Sequence, residues 1–224
     1  MRKIYIPANN AEDWAQFLAE PVRHWRTGYS ARSLAHCWQD ADGFPPEVSE
    51  ALGTSEALRG TTMLLGIPEH QVALPGGSTK SQNDIWVLGK RDEQLVSIAI
   101  EGKVREPFGS TVAEWLESGT PGKRVRLQFL IETLGLREVP PSIRYQLLHR
   151  TASAILEAER FNAGHALMLV HSFSQTQDWI EDYQAFAALF GINAEVNRVH
   201  VAKKVGKVTL HLGWVCGAPE YLSR

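Results

Sequence analysis

Three residues in one short stretch have the types and spacing to do chemistry. From Ser81 to Phe108 the chain reads S-Q-N-D-I-W-V-L-G-K-R-D-E-Q-L-V-S-I-A-I-E-G-K-V-R-E-P-F, with Asp84 near its start and Glu101-Gly102-Lys103 near its end. Two carboxylates within reach of one point supply the hard oxygen ligands that Mg2+ prefers. Such a cation acidifies a bound water and neutralises charge on a phosphoryl oxygen. An ammonium beside the acids can orient that water and stabilise charge in the transition state. An E-x-K triplet alone arises about once by chance in a chain of this size, so its placement carries the weight.

That placement follows from local periodicity. Asp84 to Leu88, the polar turn 89–93 and Gln94 to Val104 read as a hairpin. In the second strand Val96, Ile98, Ile100 and Val104 take one face, while Ser97, Ala99, Glu101 and Lys103 take the other. Glu101 and Lys103 therefore point the same way, about 7 Å apart at roughly 3.4 Å per residue. Opposed residues of an antiparallel pair share a face, so a connection of even length puts Asp84 with them, opposite Ala99 or Glu101.

The surrounding chain reads as one mixed α/β domain. The N-terminal third is helical: a helix from Ala11 to Glu20 capped by Asn10 and stopped by Pro21, one from Ser30 to Asp40, one from about Glu47 to Leu52, and a further helical piece ending by Gly66-Ile67-Pro68. Met1 to Pro7 reads as a short edge strand and His70 to Leu74 as another strand. Beyond the hairpin come helices over Ser110–Glu117, Lys123–Leu134 and Ile143–Phe161, the last with the stripe Tyr145, Leu148, Ala152 and Ile155. Gln146, Arg150 and Ser153 share an adjacent face of that helix. A buried strand at Ala166–Phe173, a helix at Gln177–Phe190 and a hairpin of Val196–Ala202 with Val208–Val215 complete the chain. This succession predicts an α+β mixed sheet flanked by helices.

Composition narrows the function classes. With 44% hydrophobic residues in 224 and a formal net charge of -2, the chain has material for a sizeable core and no global basic field. No apolar run approaches the roughly 20 residues that span a bilayer, and the N-terminus lacks a signal-peptide h-region, so cytoplasmic residence is expected. Cys37 and Cys216 lack metal-binding spacing and read as reduced thiols. Gly76-Gly77-Ser78-Thr79-Lys80 has the ingredients of a P-loop without its order and reads as a turn. The eight histidines are scattered and read as packing or solvent-exposed groups. Lys123, Arg124, Arg126, Arg144 and Arg150 either gather near a backbone-binding cleft or form a solvated helix face.

Asp84, followed one hairpin later by Glu101-Gly102-Lys103, resembles the PD-(D/E)XK nuclease superfamily, and the chain resembles a divergent bacterial member. The likeness covers residues 70 to 175. It implies a restriction-endonuclease-like three-layer core with a helical N-terminal extension, from about 8 to 66, and a helical insertion between Lys103 and Ile143. It further implies Asp84, Glu101 and the Gly102 carbonyl as ligands of Mg2+ or Mn2+, Lys103 as the water-positioning residue, and Gln146 as a substrate-binding residue. A preceding helix often adds an acid, for which Glu50, Glu56 and Glu69 are candidates. The residue before Asp84 is Asn83 where the family pattern has proline. The implied activity is hydrolysis of nucleic acid, DNA foremost, in defence or repair, and a homodimer is compatible with it. The alternative is an interaction protein that keeps the fold without catalysis.

Overall fold

The computed structural model describes residues 8–117 and 119–224; the strand expected at 1–7 lies outside them. Six strands form one mixed sheet: β1 (Thr62–Val72), β2 (Ser81–Arg91), β3 (Gln94–Lys103), β4 (His165–Ser172), β5 (Arg198–Val205) and β6 (Val208–Cys216), in the order β1-β2-β3-β4-β6-β5. β1, β2 and β3 make an antiparallel meander, β3-β4 and β4-β6 are parallel, and β5 pairs antiparallel with β6 at the far edge. Parallel neighbours need crossover connections. Here these are α4 (Val112–Leu116), α5 (Pro121–Thr133) and α6 (Tyr145–Arg160) between β3 and β4, and α7 (Ile180–Ala188) before β5.

Two buried clusters flank the sheet. On one face α6 and α7 pack Leu147, Leu148, Ile155, Tyr183 and Phe186 against Ala99, Met168 and Trp214. On the other, α2 (Ser30–Asp40) and α3 (Pro46–Gly53) pack Leu34, Trp38, Val48 and Leu52 against Val87, Ile98, Ile100 and Leu169. The central strand β4 is buried from Ala166 onward, as apolar crossovers on both sides require. Among the described residues no helix is long and apolar enough to cross a membrane.

Several sequence expectations need correction. The helical piece expected to end near Pro68 is instead a turn region followed by the 11-residue strand β1, which takes in the first three residues of the strand expected at His70–Leu74 and ends at Val72. Pro68 is tolerated because β1 is an edge strand, where the missing N–H disrupts no interior ladder. The first helix is a 3-10 turn, Ala11–Phe17, capped by the Asn10 side chain on the Asp13 N–H at 3.2 Å. Pro21 starts the short α1 (Pro21–His24) rather than stopping a helix, since its missing N–H is harmless at a first position. The last hairpin turns over two residues, 206–207, around Gly206 at φ 57°. The Glu101 hairpin is tighter than expected too, because β2 runs to Arg91 and pairs with Gln94 across Asp92-Glu93.

Candidate functional site

That two-residue turn has the even parity on which the shared face depends. Register pairs Ile85 with Ile100, and one step further Asp84 stands opposite Glu101. The β2-β3 ladder ends there, whereas β2 continues along β1 to the Ser81-Val72 pair. β2 and β3 part at this point. The Gly102 N–H, left without a β2 backbone partner, donates to Asp84 Oδ2 at 2.7 Å. The parting opens a cleft of about 350 Å³ lined by Glu69, Gln82, Asp84, Glu101, Lys103 and Arg150, among others.

Glu101 is the hub. Its Oε1 accepts from Lys103 Nζ at 2.5 Å and Gln146 Nε2 at 2.8 Å, and its Oε2 from Arg150 Nε at 2.5 Å. Gln146 and Arg150 reach it together because residues i and i+4 lie on one face of α6. Arg150 also places Nη2 3.9 Å from Asp84 Oδ1. Lys103 Nζ sits 5.0 Å from the Phe108 ring centroid, which leaves the ammonium a direct cation-π partner. Glu69, one strand over on β1, accepts from Gln82 Nε2 at 2.6 Å. At φ 52° it breaks the regular strand geometry of β1.

Four carboxylates line the cleft with two cations; Glu106 accepts from the Ser30 and Val104 N–H groups, and the other three do not titrate alike. Burial by itself would raise Glu101, but the Arg150 and Lys103 charges outweigh it and hold this acid at about 2. Asp84 is raised to about 7 by burial and by the Glu101 charge. Glu69 is raised to about 8 by burial and then by Asp84. Like charges at one site cannot all ionise cheaply, so protons reside on the Asp84-Glu69 pair near neutral pH. Burial and the Arg150 charge push His149, behind the cleft wall, well below the ordinary imidazole range.

The donor set fits a hard divalent cation. Every candidate ligand is an oxygen, and Gln146 Oε1 is buried without a hydrogen-bond partner. Of the three candidates for an added acid, Glu69 is the one that lines the cleft, from a strand rather than the expected helix. Glu50 is exposed on α3, and exposed Glu56 offers its carbonyl to Arg91. Sequence reading placed Arg150 on the face of Gln146 without assigning it to the acids; the i, i+4 spacing was the available signal. Arg144 instead joins Asp182 at 2.8 Å, and Arg124 is exposed.

A second group of ligating atoms lies on the opposite face of the sheet. Cys37 Sγ is 3.5 Å and His171 Nε2 3.1 Å from Glu47 Oε1. Trp38 Nε1-H donates to His171 Nδ1 at 3.2 Å. Indole nitrogen is donor only, so this bond fixes Nδ1 as the acceptor and puts the imidazole proton on Nε2. That nitrogen then donates to Glu47 and has no lone pair for a metal. Burial, with Glu47 beside it, pushes the Cys37 thiol far up and keeps it protonated. The cluster is a hydrogen-bonded network.

A family model described as a domain of unknown function (DUF6946) matches residues 7–219, and the chain belongs to that family. No curated protein and no solved structure matches the chain.

Proposed function

We propose that this protein is a metal-dependent phosphodiester hydrolase acting on nucleic acid, with DNA as the expected substrate and a restriction-endonuclease-like core. The observation that carries this reading is the convergence of Glu69, Asp84 and Glu101 on one cleft with Lys103 and Arg150 beside them. Asp84 and Glu69, both raised toward neutral pH, hold protons that a bound cation would displace. These two acids, with Glu101 and the Gly102 carbonyl, would hold Mg2+ or Mn2+. The ion would supply an acidified water and charge neutralisation at the phosphoryl oxygen.

The chain's own groups do the rest. Lys103, tethered to Glu101, orients the attacking water and meets charge developing on the phosphorus oxygens. Gln146 offers its unsatisfied Oε1 as an acceptor for the same water. Arg150 keeps Glu101 ionised, so Lys103 retains a fixed anionic partner. The test is cleavage of labelled single- and double-stranded DNA and RNA in MgCl2 or MnCl2, comparing wild type with Glu101→Ala. Equal inertness of the two proteins defeats the proposal.

One observation favours a second reading, a non-catalytic interaction protein. Both Glu101 oxygens already accept from side chains, and Arg150 lies near Asp84 as well. In that reading Arg150 is the internal cation of a structural network. Calorimetric titration with Mn2+ separates the two, since the network alone would bind none.

A further inference from the structure

Behind the cleft wall lies a second pocket, also of about 350 Å³. Ser81 and His149 form the partition: Ser81 Oγ is 2.8 Å from His149 Nδ1, accepts from Ser153 Oγ at 2.8 Å and lies 3.5 Å from Arg150 Nη1. Arg150 lines the cleft and reaches the second pocket only through this partition, with Nε on Glu101 and Nη1 toward Ser81. Ser81 and His149 line the second pocket, and their contacts with Arg150 are what separate it from the acidic cleft.

The second pocket has the opposite charge. Lys80, Lys123 and Arg126 line it, and no Asp or Glu does among the described residues. The hydroxyls of Ser78, Thr79 and Thr120 add donors. The Gly76-Lys80 segment, which in sequence reads only as a turn, forms one wall. Gly76, at φ 82°, packs so closely on Gly122 that a Cβ on either would overlap the other's carbonyl oxygen, so backbone makes this contact. Arg126 clamps the loop by donating to the carbonyls of Pro75 at 2.8 Å, Leu74 at 3.2 Å and Gly77 at 3.1 Å. Opposite, Trp115 stacks on Tyr145 with centroids 3.8 Å apart, and Lys123 Nζ lies 5.2 Å over the Trp115 ring. The walls are held by groups that already have partners, and exposed Lys80 stands at the rim.

A preorganised concavity with cations, hydroxyl donors and no acid selects an anion. Its volume is at the small end for ligand pockets, which suits a phosphate group with part of its sugar. We infer that this pocket seats a phosphate of the substrate strand adjoining the phosphodiester at the acidic cleft. The inference rests on the hydrolase reading for the identity of the strand. Arg150, in contact with the partition and with Glu101, couples the seating of one phosphate to the geometry at the other.

The test uses the full chain in EDTA, where no cleavage occurs, and a short fluorescein-labelled single-stranded oligodeoxynucleotide read by anisotropy. Lys80→Gln weakens binding about tenfold, the loss of one charge-assisted contact, and lowers the slope of log K against log salt by about 0.7. Thr79→Asp, which puts a negative charge into the pocket, weakens it at least as much. Lys90→Gln, at the half-buried turn end of β2 beside Glu93, binds as wild type. Wild-type affinity and salt slope in both Lys80→Gln and Thr79→Asp overturn the inference. A separate cleavage assay in MgCl2 reads the acidic cleft. Pocket-dependent binding without cleavage leaves the phosphate site standing and removes the hydrolase reading, whereas cleavage with wild-type KM in Lys80→Gln removes only the pocket.

Discussion

Replacing Arg150 by glutamine takes away the cation that compensates Glu101 and faces Asp84. Arg150 is 8% and Glu101 2% exposed, so the pair is buried, and their contact is 2.5 Å. Removing one partner of a buried pair costs about 3–5 kcal/mol because the other charge is stranded. The lower end of that range applies, since Lys103 and Gln146 stay on Glu101 Oε1 and the carboxylate can take up a proton as its pKa rises. Urea unfolding at pH 7 should therefore show Arg150→Gln about 3 kcal/mol less stable, with an unchanged denaturant slope. Adding MgCl2 at about 100 times its Kd should stabilise wild type by about 2.7 kcal/mol. The variant should gain at least as much, because the ion replaces the missing positive charge. If Arg150→Gln loses its 3 kcal/mol but neither Mg2+ nor Mn2+ moves either midpoint, the acids form a structural network and the metal reading falls. A loss of less than about 1 kcal/mol would contradict the ion-pair geometry itself.

Asp84→Asn should abolish cleavage yet stabilise the metal-free protein. Asp84 is raised to about 7 in the fold, so the unfolded chain releases its proton first and stability falls as pH rises from about 4 toward 7. Removing the acid should recover about 1–3 kcal/mol at pH 8, measured by denaturation in EDTA; a less stable variant would refute this. Gly102→Ala should impair cleavage more than folding, because the added methyl would lie 3.3 Å from Asp84 Oδ2 and from Leu34 Cδ2. Overpacking of that kind costs about 1–3 kcal/mol, and unaltered kcat would contradict the role of the Gly102-Asp84 contact. At the other end of the sheet, burial and the adjacent His165 lower His211 to about 4. The unfolded state there binds the extra proton, so this group should cost about 2 kcal/mol between pH 7.5 and pH 5. His211→Gln should flatten that part of the stability profile, and an unchanged slope would exclude His211 as its source.

Period-two alternation was enough to put Glu101 and Lys103 on one face, since that depends only on neighbouring residues of one strand. Amphipathic spacing likewise made α2, α3 and α6 legible, and a buried apolar run marked β4. β1 was legible only at its end, from His70, because Gly66 and Pro68 argue locally against a strand and only its position at the sheet edge permits them. Hairpin parity depends on where a polar turn begins, and Lys90 and Arg91 could have belonged to turn or strand until both paired across β3.

By itself the sequence determined which residue types were available to the site: two acids and a lysine on a hairpin, and a glutamine and an arginine four apart on a helix. Tertiary structure decided their partners. Glu69 joins from β1, the parting of β2 and β3 gives Asp84 the Gly102 N–H, and α6 lays Arg150 against Glu101. Those contacts set which acid stays ionised and which two hold protons, because Coulomb energy and desolvation depend on distance and burial, which residue spacing along the chain does not encode.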